Sequence, residues 1–453
     1  MARSKEIANK VQYKRAVMAN EAIEFYHREL ETSDRGCLRE LQDRRLRWLL
    51  EELATNRFYQ EKFHVAGIDM ESVRCAEDLK RLPFTTKTEL VIEQESHPPY
   101  GRLLTYPPAR YRYLHQTSGT TGHPLKWLDT KEDWETWMRC WGYVYRSAGV
   151  SEEDLVFCAF SFGPYVSHWA AIDGARHIGA LCLSGGGLNS EQRLRLMVNN
   201  RCSVLVCTPT YALHLAEVAE SMGLDLRSSA VRTTIHAGEP GASVASVKRR
   251  IEQAWGAISF DHAGATEVGA WAFDCQAQSG SIHLNELEFI FEVINPQTGA
   301  PVDQGSCGEL VITTLSRAGM PVLRYRTGDL VELAAGPCPC GRTLVRITGG
   351  VKGRADDMLI VRGVNLYPSA IDGLLRSLPS IIEYEVEIRR AANMDDLLLK
   401  IEIDEHKPFS QVESAVLAAF RSQLNIRVGI EQAAPGSLPR YEFKARRYKR
   451  IAV

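Results

Sequence analysis

From about Tyr111 onward the chain alternates short apolar runs with longer amphipathic stretches, and few folds accept that pattern. Asp154–Phe160, Cys202–Thr208, Val231–His236 and Ala257–Phe260 are apolar or β-branched runs of strand length. Asn189–Asn200 and Pro209–Met222, between them, place apolar residues three and four apart. A strand with no polar face has to be covered on both sides, so the pattern predicts a largely parallel α/β sheet with helices packed over it. Phe289–Asn295 and Cys307–Thr314, separated by the turn-rich NPQTGAPVDQGS, predict an antiparallel pair. Upstream, Asn20–Leu30 and Gly36–Asn56 carry helical spacing among many charges. After about Arg354 a shorter α+β pattern follows, with strand-like Glu383–Arg389 and Leu397–Asp404. A chain of 453 residues exceeds what one core supports. The expected division is a large N-terminal α/β domain, residues 1–353, with a helical start, and a small C-terminal α+β domain, residues 354–453.

Charge and cysteine content narrow the function classes. A net charge of −2 provides no basic field for nucleic acid. No apolar run reaches the roughly 18 residues of a membrane span, and MARSKEIANK lacks a signal-peptide core. Eleven cysteines without an export signal point to reduced thiols in the cytoplasm, with metal binding as the other use.

The sharpest local motif is HQTSGTTGHPLK at His115–Lys126. Thr117, Ser118, Thr120 and Thr121 interleave with Gly119 and Gly122, and Lys126 follows. Glycines let the backbone turn its N–H groups on an anion, hydroxyls add donors, and lysine adds a point charge. No G-K-[ST] follows, so the loop is not a Walker A motif. An ordinary Ser/Thr/Gly turn is the plainer alternative.

TSGTTGHPLK resembles the pyrophosphate-gripping loop of the adenylate-forming superfamily, and further motifs follow in order. Gly238, Glu239 and Pro240 look like its adenine-side segment, and DHAGATE (Asp261–Glu267) like the segment ending in a magnesium-holding glutamate. YRTGDL (Tyr325–Leu330) looks like its ribose-binding turn, and GRADDMLIVRGVNLYP from Gly353 like its hinge. RYRTGDL, GRADDM and RGVNLYP together are most similar to the phenylacetate-CoA ligase branch.

The resemblance implies an AMP-forming acid–thiol ligase using ATP, Mg²⁺ and coenzyme A. Thr117–Gly122 and Lys126 would hold the phosphates, Asp261, His262 and Thr266 would line the nucleotide, and Glu267 would hold Mg²⁺. Asp329 would bind the ribose hydroxyls with Arg354 beside it. Asp356 would fall at the hinge of a mobile small domain, with a helix cap or turn residue as the plain reading. In EFKARRYKR, Lys444 matches the lysine that bridges carboxylate and α-phosphate, making Lys444, Glu267 and Thr117 the expected catalytic set. Phe443 stands where the family has glycine, with Lys449 as the fallback and a solvated basic tail as the plain reading.

Cys338-Pro-Cys340 with Cys275 and His283 makes a Cys₃His set suited to tetrahedral Zn²⁺. Unrelated reduced residues and redox use are the other readings of the spacing. Phenylacetate-CoA ligase-like proteins can carry a similar set, which implies structural zinc. The acid is expected against Phe160, Phe162, Tyr165, His168 and Trp169, with Ala263 and Gly264 opposite. Ala263 replaces a tyrosine common in the family, so either other groups sandwich adenine or the acyl pocket is larger there. The expected substrate is a small carboxylic acid, aromatic or arylacetic by analogy. Transfer to a carrier-protein thiol or an amine, a catalytically inactive nucleotide-binding regulator, and a homodimer stay open as alternatives.

Overall fold

The computed structural model describes residues 23–117, 124–355, 357, 359–361, 364–391, 394–441 and 445–451. Three helices open it: α1 (Arg35–Glu52), α2 (Arg57–Val65) and α3 (Lys87–Ser96). The Asp34 carboxylate caps α1 on the Cys37 amide, and Thr86 and Glu89 form a reciprocal cap on α3. Of the helix expected over Asn20–Leu30, the described residues form only the turn Arg28–Glu31. Glu31 accepts the amides of Tyr26 and His27 and pairs with buried Arg342, which folds this stretch back on itself.

A hairpin of β1 (Tyr111–Gln116) and β2 (Lys126–Thr130) runs into α4 (Lys131–Ser147), capped by Thr130 and Asp133. The expected alternation follows: β3 (Leu155–Cys158), α5 (Val166–His177), β4 (Leu181–Ser184), α6 (Ser190–Asn199), β5 (Val204–Cys207), α7 (Pro209–Ser221), β6 (Thr233–His236), α8 (Ala245–Trp255) and β7 (Ile258–Ala265). All five strands are parallel, in the order β4-β3-β5-β6-β7. Because β4 and β5 flank β3 on opposite sides, the strand order reverses at β3. Ligand crevices in open α/β sheets form outside the carboxyl ends at such a point. Helix α4 packs on α5, while α7 packs on both α6 and α8.

The strand expected to end at Phe260 continues to Ala265 and turns back antiparallel into β8 (Gly269–Asp274) and β9 (Ser281–Leu284). Strands β10 (Phe289–Ile294), β11 (Cys307–Thr314) and β12 (Tyr325–Glu332) form the expected antiparallel meander. β13 (Arg346–Thr348) returns to pair with β9, and β14 (Gly353–Arg354) pairs with β12. Beyond it, β15 (Leu359–Val361), β16 (Val364–Leu366), α9 (Pro368–Ser377), β17 (Ile381–Ala391), β18 (Met394–Ile403), α10 (Phe409–Ala419), β19 (Gly429–Gln432) and β20 (Tyr448–Ile451) make a separate sheet with helices. Its core, from Leu359 to Ile426, shares no residue with the cores under the main sheet. Among the described residues no helix is long and apolar enough to cross a membrane.

Candidate active site

Several expected segments leave the parallel strands at their carboxyl ends. Phe160 follows β3, and Gly238, Glu239 and Pro240 follow β6 with Gly238 at φ +95°. On β7, Asp261 accepts the Ser243 amide (3.0 Å), and burial pushes its carboxyl up to about 7. Its neighbour His262 lies edge-on to the α4 ring of Trp141, 4.5 Å away, and burial pushes it down to about 4. Side chains alternate across a strand, so Asp261 and His262 serve opposite faces. The structure does not bring His262 to the Asp261 side.

Of the phosphate loop, Ser118, Gly119, Thr120, Thr121 and Gly122 lie outside the described residues. Its neck is described. Buried Thr117 donates its amide to the Leu125 carbonyl (2.9 Å), and its Oγ accepts the Leu125 amide (3.0 Å). Lys126, next along, exchanges backbone hydrogen bonds with the Gln94 side chain (2.7 and 3.0 Å). The hairpin is tied to the β7–β8 turn through Arg317, whose Nε binds Asp129 (3.0 Å) and whose Nη1 donates to the Thr266 carbonyl (3.5 Å). Arg317 and Asp129 are both about 2% exposed at their side chains.

Glu267, also buried, accepts the Tyr325 hydroxyl at Oε1 (2.7 Å), and Oε2 takes no hydrogen bond from a described residue. Tyr325 begins β12, which also carries Asp329. Here the structure corrects the sequence expectation: YRTGDL is a bulged strand rather than a turn. Glu309 and Val311 of β11 pair with Leu330 and Arg326, so Leu310 faces an excess of β12 residues. Gly328 takes up the excess at φ +76°, and a Cβ there would meet Arg354 Nη2 at 2.7 Å. Arg354 Nη1 lies 3.5 Å from Asp329 Oδ1 and 3.2 Å from the Thr327 carbonyl.

The expected acid wall divides in two. Phe160 is buried, and so is His168, which donates from Nδ1 to the Phe160 carbonyl (3.0 Å). Phe162, Tyr165 and Trp169 are 54%, 39% and 42% exposed, so only these can line an open crevice. Beneath Phe162 run Gly186 and Gly187; a Cβ on Gly186 would sit 2.9 Å from its ring, whereas one on Gly185 would meet Phe157. Ala263 is half-buried and Gly264 exposed.

The C-terminal segment reaches the large part through Arg440 and Ala445. Arg440 Nε meets Glu217 of α7 (3.0 Å), and the Ala445 amide donates to Glu239 Oε2 (3.2 Å). Glu239 Oε1 meanwhile accepts the Thr210 amide at the start of α7 (2.8 Å). The Glu239 carboxylate is thus occupied by backbone. Lys444 and Asp356 lie outside the described residues. Lys449, the fallback, sits on β20 with its ammonium on Glu385 (2.5 Å).

Residues 41–318 match the family model described as AMP-binding enzyme, and residues 363–449 match the AMP-binding enzyme C-terminal domain. The chain belongs to the AMP-binding enzyme family. It is 34% identical over 385 residues to a phenylacetate-coenzyme A ligase of Thermus thermophilus, covering 84% of this chain and 85% of that protein. The solved structure of 2-hydroxyisobutyryl-CoA ligase in the postadenylation state with 2-HIB-AMP aligns at TM-score 0.89 and 30% identity, covering 93% of this chain and 91% of that one. The same ligase with 2-HIB-AMP and CoA in the thioesterification state aligns at 0.71 with 30% identity and the same coverage.

Away from these segments, this AMP-binding enzyme gathers Cys275, His283, Cys338 and Cys340, all buried, with ligand atoms within 4.8 Å of one another. Cys275 and Cys338 sulfurs lie 3.6 Å apart, and Cys340 Sγ lies 3.5 Å from His283 Nε2. Tetrahedral zinc with bonds of about 2.0–2.3 Å spaces its ligands by roughly 3.5–3.8 Å, so the donor set fits that ion. His283 Nδ1 faces the Leu344 carbonyl (3.3 Å), which leaves Nε2 for a metal. Hydrogen bonds from Cys275 and Cys338 pull the Cys340 thiol far below its ordinary range. Three contributors escaped the sequence reading: the Tyr325 hydroxyl, Arg317 and the glycine run at 185–187. Only the last had a visible signal, three consecutive glycines after a strand.

Proposed function

We propose that this AMP-binding enzyme activates a carboxylic acid with ATP and passes the acyl group to coenzyme A. The supporting observation is one unbroken series of contacts. The loop hairpin reaches Thr266 through Asp129 and Arg317, Glu267 meets Tyr325, and the strand of Tyr325 carries Asp329 against Arg354. Relatives named for phenylacetate and 2-hydroxyisobutyrate, both ligated to CoA, support the reaction class.

In the first step an acid oxygen attacks the α-phosphorus and the bond to pyrophosphate breaks. In the second, the CoA sulfur attacks the acyl carbon, the bond to the AMP oxygen breaks, and the thiol proton goes to solvent. Catalysis at phosphorus is chiefly positioning and charge neutralisation. Residues 117–122 and Lys126 hold the phosphates, Asp329 and Arg354 the ribose side, and Lys444 the charge developing between acid and α-phosphate. Glu267, whose Oε2 takes no hydrogen bond from a described residue, would hold Mg²⁺, which when bound neutralises phosphate oxygens. A hinge at Asp356 between residues 1–353 and 354–453 lets the small domain serve both steps. Phe162, Tyr165 and Trp169 favour an aromatic or arylacetic acid. Zinc in the Cys₃His cluster is structural, since all four positions are protein ligands.

Pyrophosphate exchange across a panel of acids tests the first step, with exchange expected only when an acid is present. Exchange with no acid would defeat the reading. Product analysis with CoA, holo-carrier protein and amines tests the acceptor; acyl-CoA is expected. Metal analysis should find one zinc per chain, and chelation should lower the melting temperature while acid specificity stays the same.

A further inference from the structure

Glu267 stands between two clamps. On one side Arg317, anchored by Asp129, donates to the carbonyl of Thr266. On the other, the Tyr325 hydroxyl donates to Oε1 at 2.7 Å, and both side chains are buried. Tyr325 is itself tightly placed. Its backbone pairs with Ile312 on β11 and bridges to Thr85 on the other side. Arg324 just before it adopts φ +46°, an unusual conformation for a non-glycine residue. The Arg324 guanidinium holds that conformation by binding Glu292 (2.9 and 2.8 Å) and the Leu82 carbonyl (2.6 Å).

A carboxylate can rotate about its terminal torsion and present either oxygen, or both, to a cation. A single strong donor on one oxygen removes that freedom and leaves the other to face the ligand. Outer-sphere hydrogen bonds of this kind orient metal ligands, and their loss typically costs about 10–100-fold in metal affinity. We propose that Tyr325 is a positioning residue for the nucleotide-bound divalent cation: its hydroxyl fixes Glu267 so that Oε2 alone is offered. The inference rests on the reading of Glu267 given above. It also assigns two tasks to β12, which carries the ribose-side carboxylate Asp329 and, four residues earlier, the hydroxyl that sets the cation's ligand. Cation and ribose positions are then coupled through one strand.

Tyr325→Phe deletes only the hydroxyl and keeps the ring that fills the core. Mn²⁺ with ATP is the probe, its binding to the full-length protein read by electron paramagnetic resonance. The expected result is about tenfold weaker Mn²⁺ binding in the presence of ATP. The Mg²⁺ concentration for half-maximal pyrophosphate exchange should rise by the same factor, and the rate at saturating Mg²⁺ should largely recover. A structural role alone would lower the melting temperature and the saturating rate and leave the metal constants unchanged; that result overturns the proposal. Glu267→Gln is the companion. If it weakens Mn²⁺ binding while Tyr325→Phe does not, the positioning role of Tyr325 falls and Glu267 stands. If Glu267→Gln leaves Mn²⁺ binding unchanged, the reading of Glu267 falls, and Tyr325 with it.

Discussion

Two arginine–glutamate pairs in this enzyme have the same chemistry and opposite settings. Arg342 and Glu31 meet at 2.5 Å beside the Cys₃His cluster, with side chains 1% and 0% exposed. Arg440 and Glu217 meet at 3.0 Å where the C-terminal sheet touches α7, with side chains 23% and 39% exposed. Separating the first would leave bare charge in a dry interior, at about 3–5 kcal/mol. Separating the second lets water solvate both ends, and such pairs are worth about 0–1 kcal/mol. The surroundings follow the same division. Glu31 also takes two backbone amides and Arg342 donates to the Glu24 carbonyl, whereas the joint adds single polar contacts such as Ala445 to Glu239 and Ser246 to the Gly373 carbonyl. The first pair is sealed from solvent; the second is open to it.

Substitutions can break that contrast, starting with the largest effect. Arg342→Ala should cost about 3–5 kcal/mol in denaturant unfolding, because Glu31 is left buried and unpaired. Equal stability in the variant would mean that the buried pair fastens nothing. Lys444→Ala should slow acid-dependent pyrophosphate exchange by about 10²–10³-fold while thioester formation from supplied acyl-adenylate survives. Equal loss of both steps would remove Lys444 from its assigned role. Glu217→Lys, on the exposed side of α7, places like charges at the joint and should reduce exchange by about tenfold, with unfolding unchanged within ~0.5 kcal/mol. A fall in melting temperature instead would make this pair as structural as the buried one. The smallest effect is expected from Glu217→Gln, at about two- to fivefold in the same assay.

Much of the large part was legible because its strands are short apolar runs that only a covered parallel sheet accommodates. The β7 extension was not, because His262, Ala263, Gly264 and Ala265 carry no β-branched residue; pairing with β8 makes them a strand. YRTGDL read as a turn because Gly-Asp is ordinary turn chemistry. The bulge depends on register with β11, which no local pattern reports. Glu239, expected at the adenine side, has its carboxylate on the Thr210 and Ala445 amides. Long-range partners of this sort, like Tyr325 for Glu267, are 29 to 206 residues away in sequence and leave no spacing to detect.

Arg440 is gripped from its own side as well as from across the joint. Glu402, itself buried, holds its Nη2 at 2.7 Å and accepts the amides of Gly436 and Leu438. The guanidinium therefore keeps its aim even when Glu217 is out of reach. Re-engagement then needs no search through the many rotamers of a free arginine, whose ordering would otherwise cost up to about 2 kcal/mol. Were the small domain to swing as proposed above, it would meet its partner with the plug already pointed at the socket.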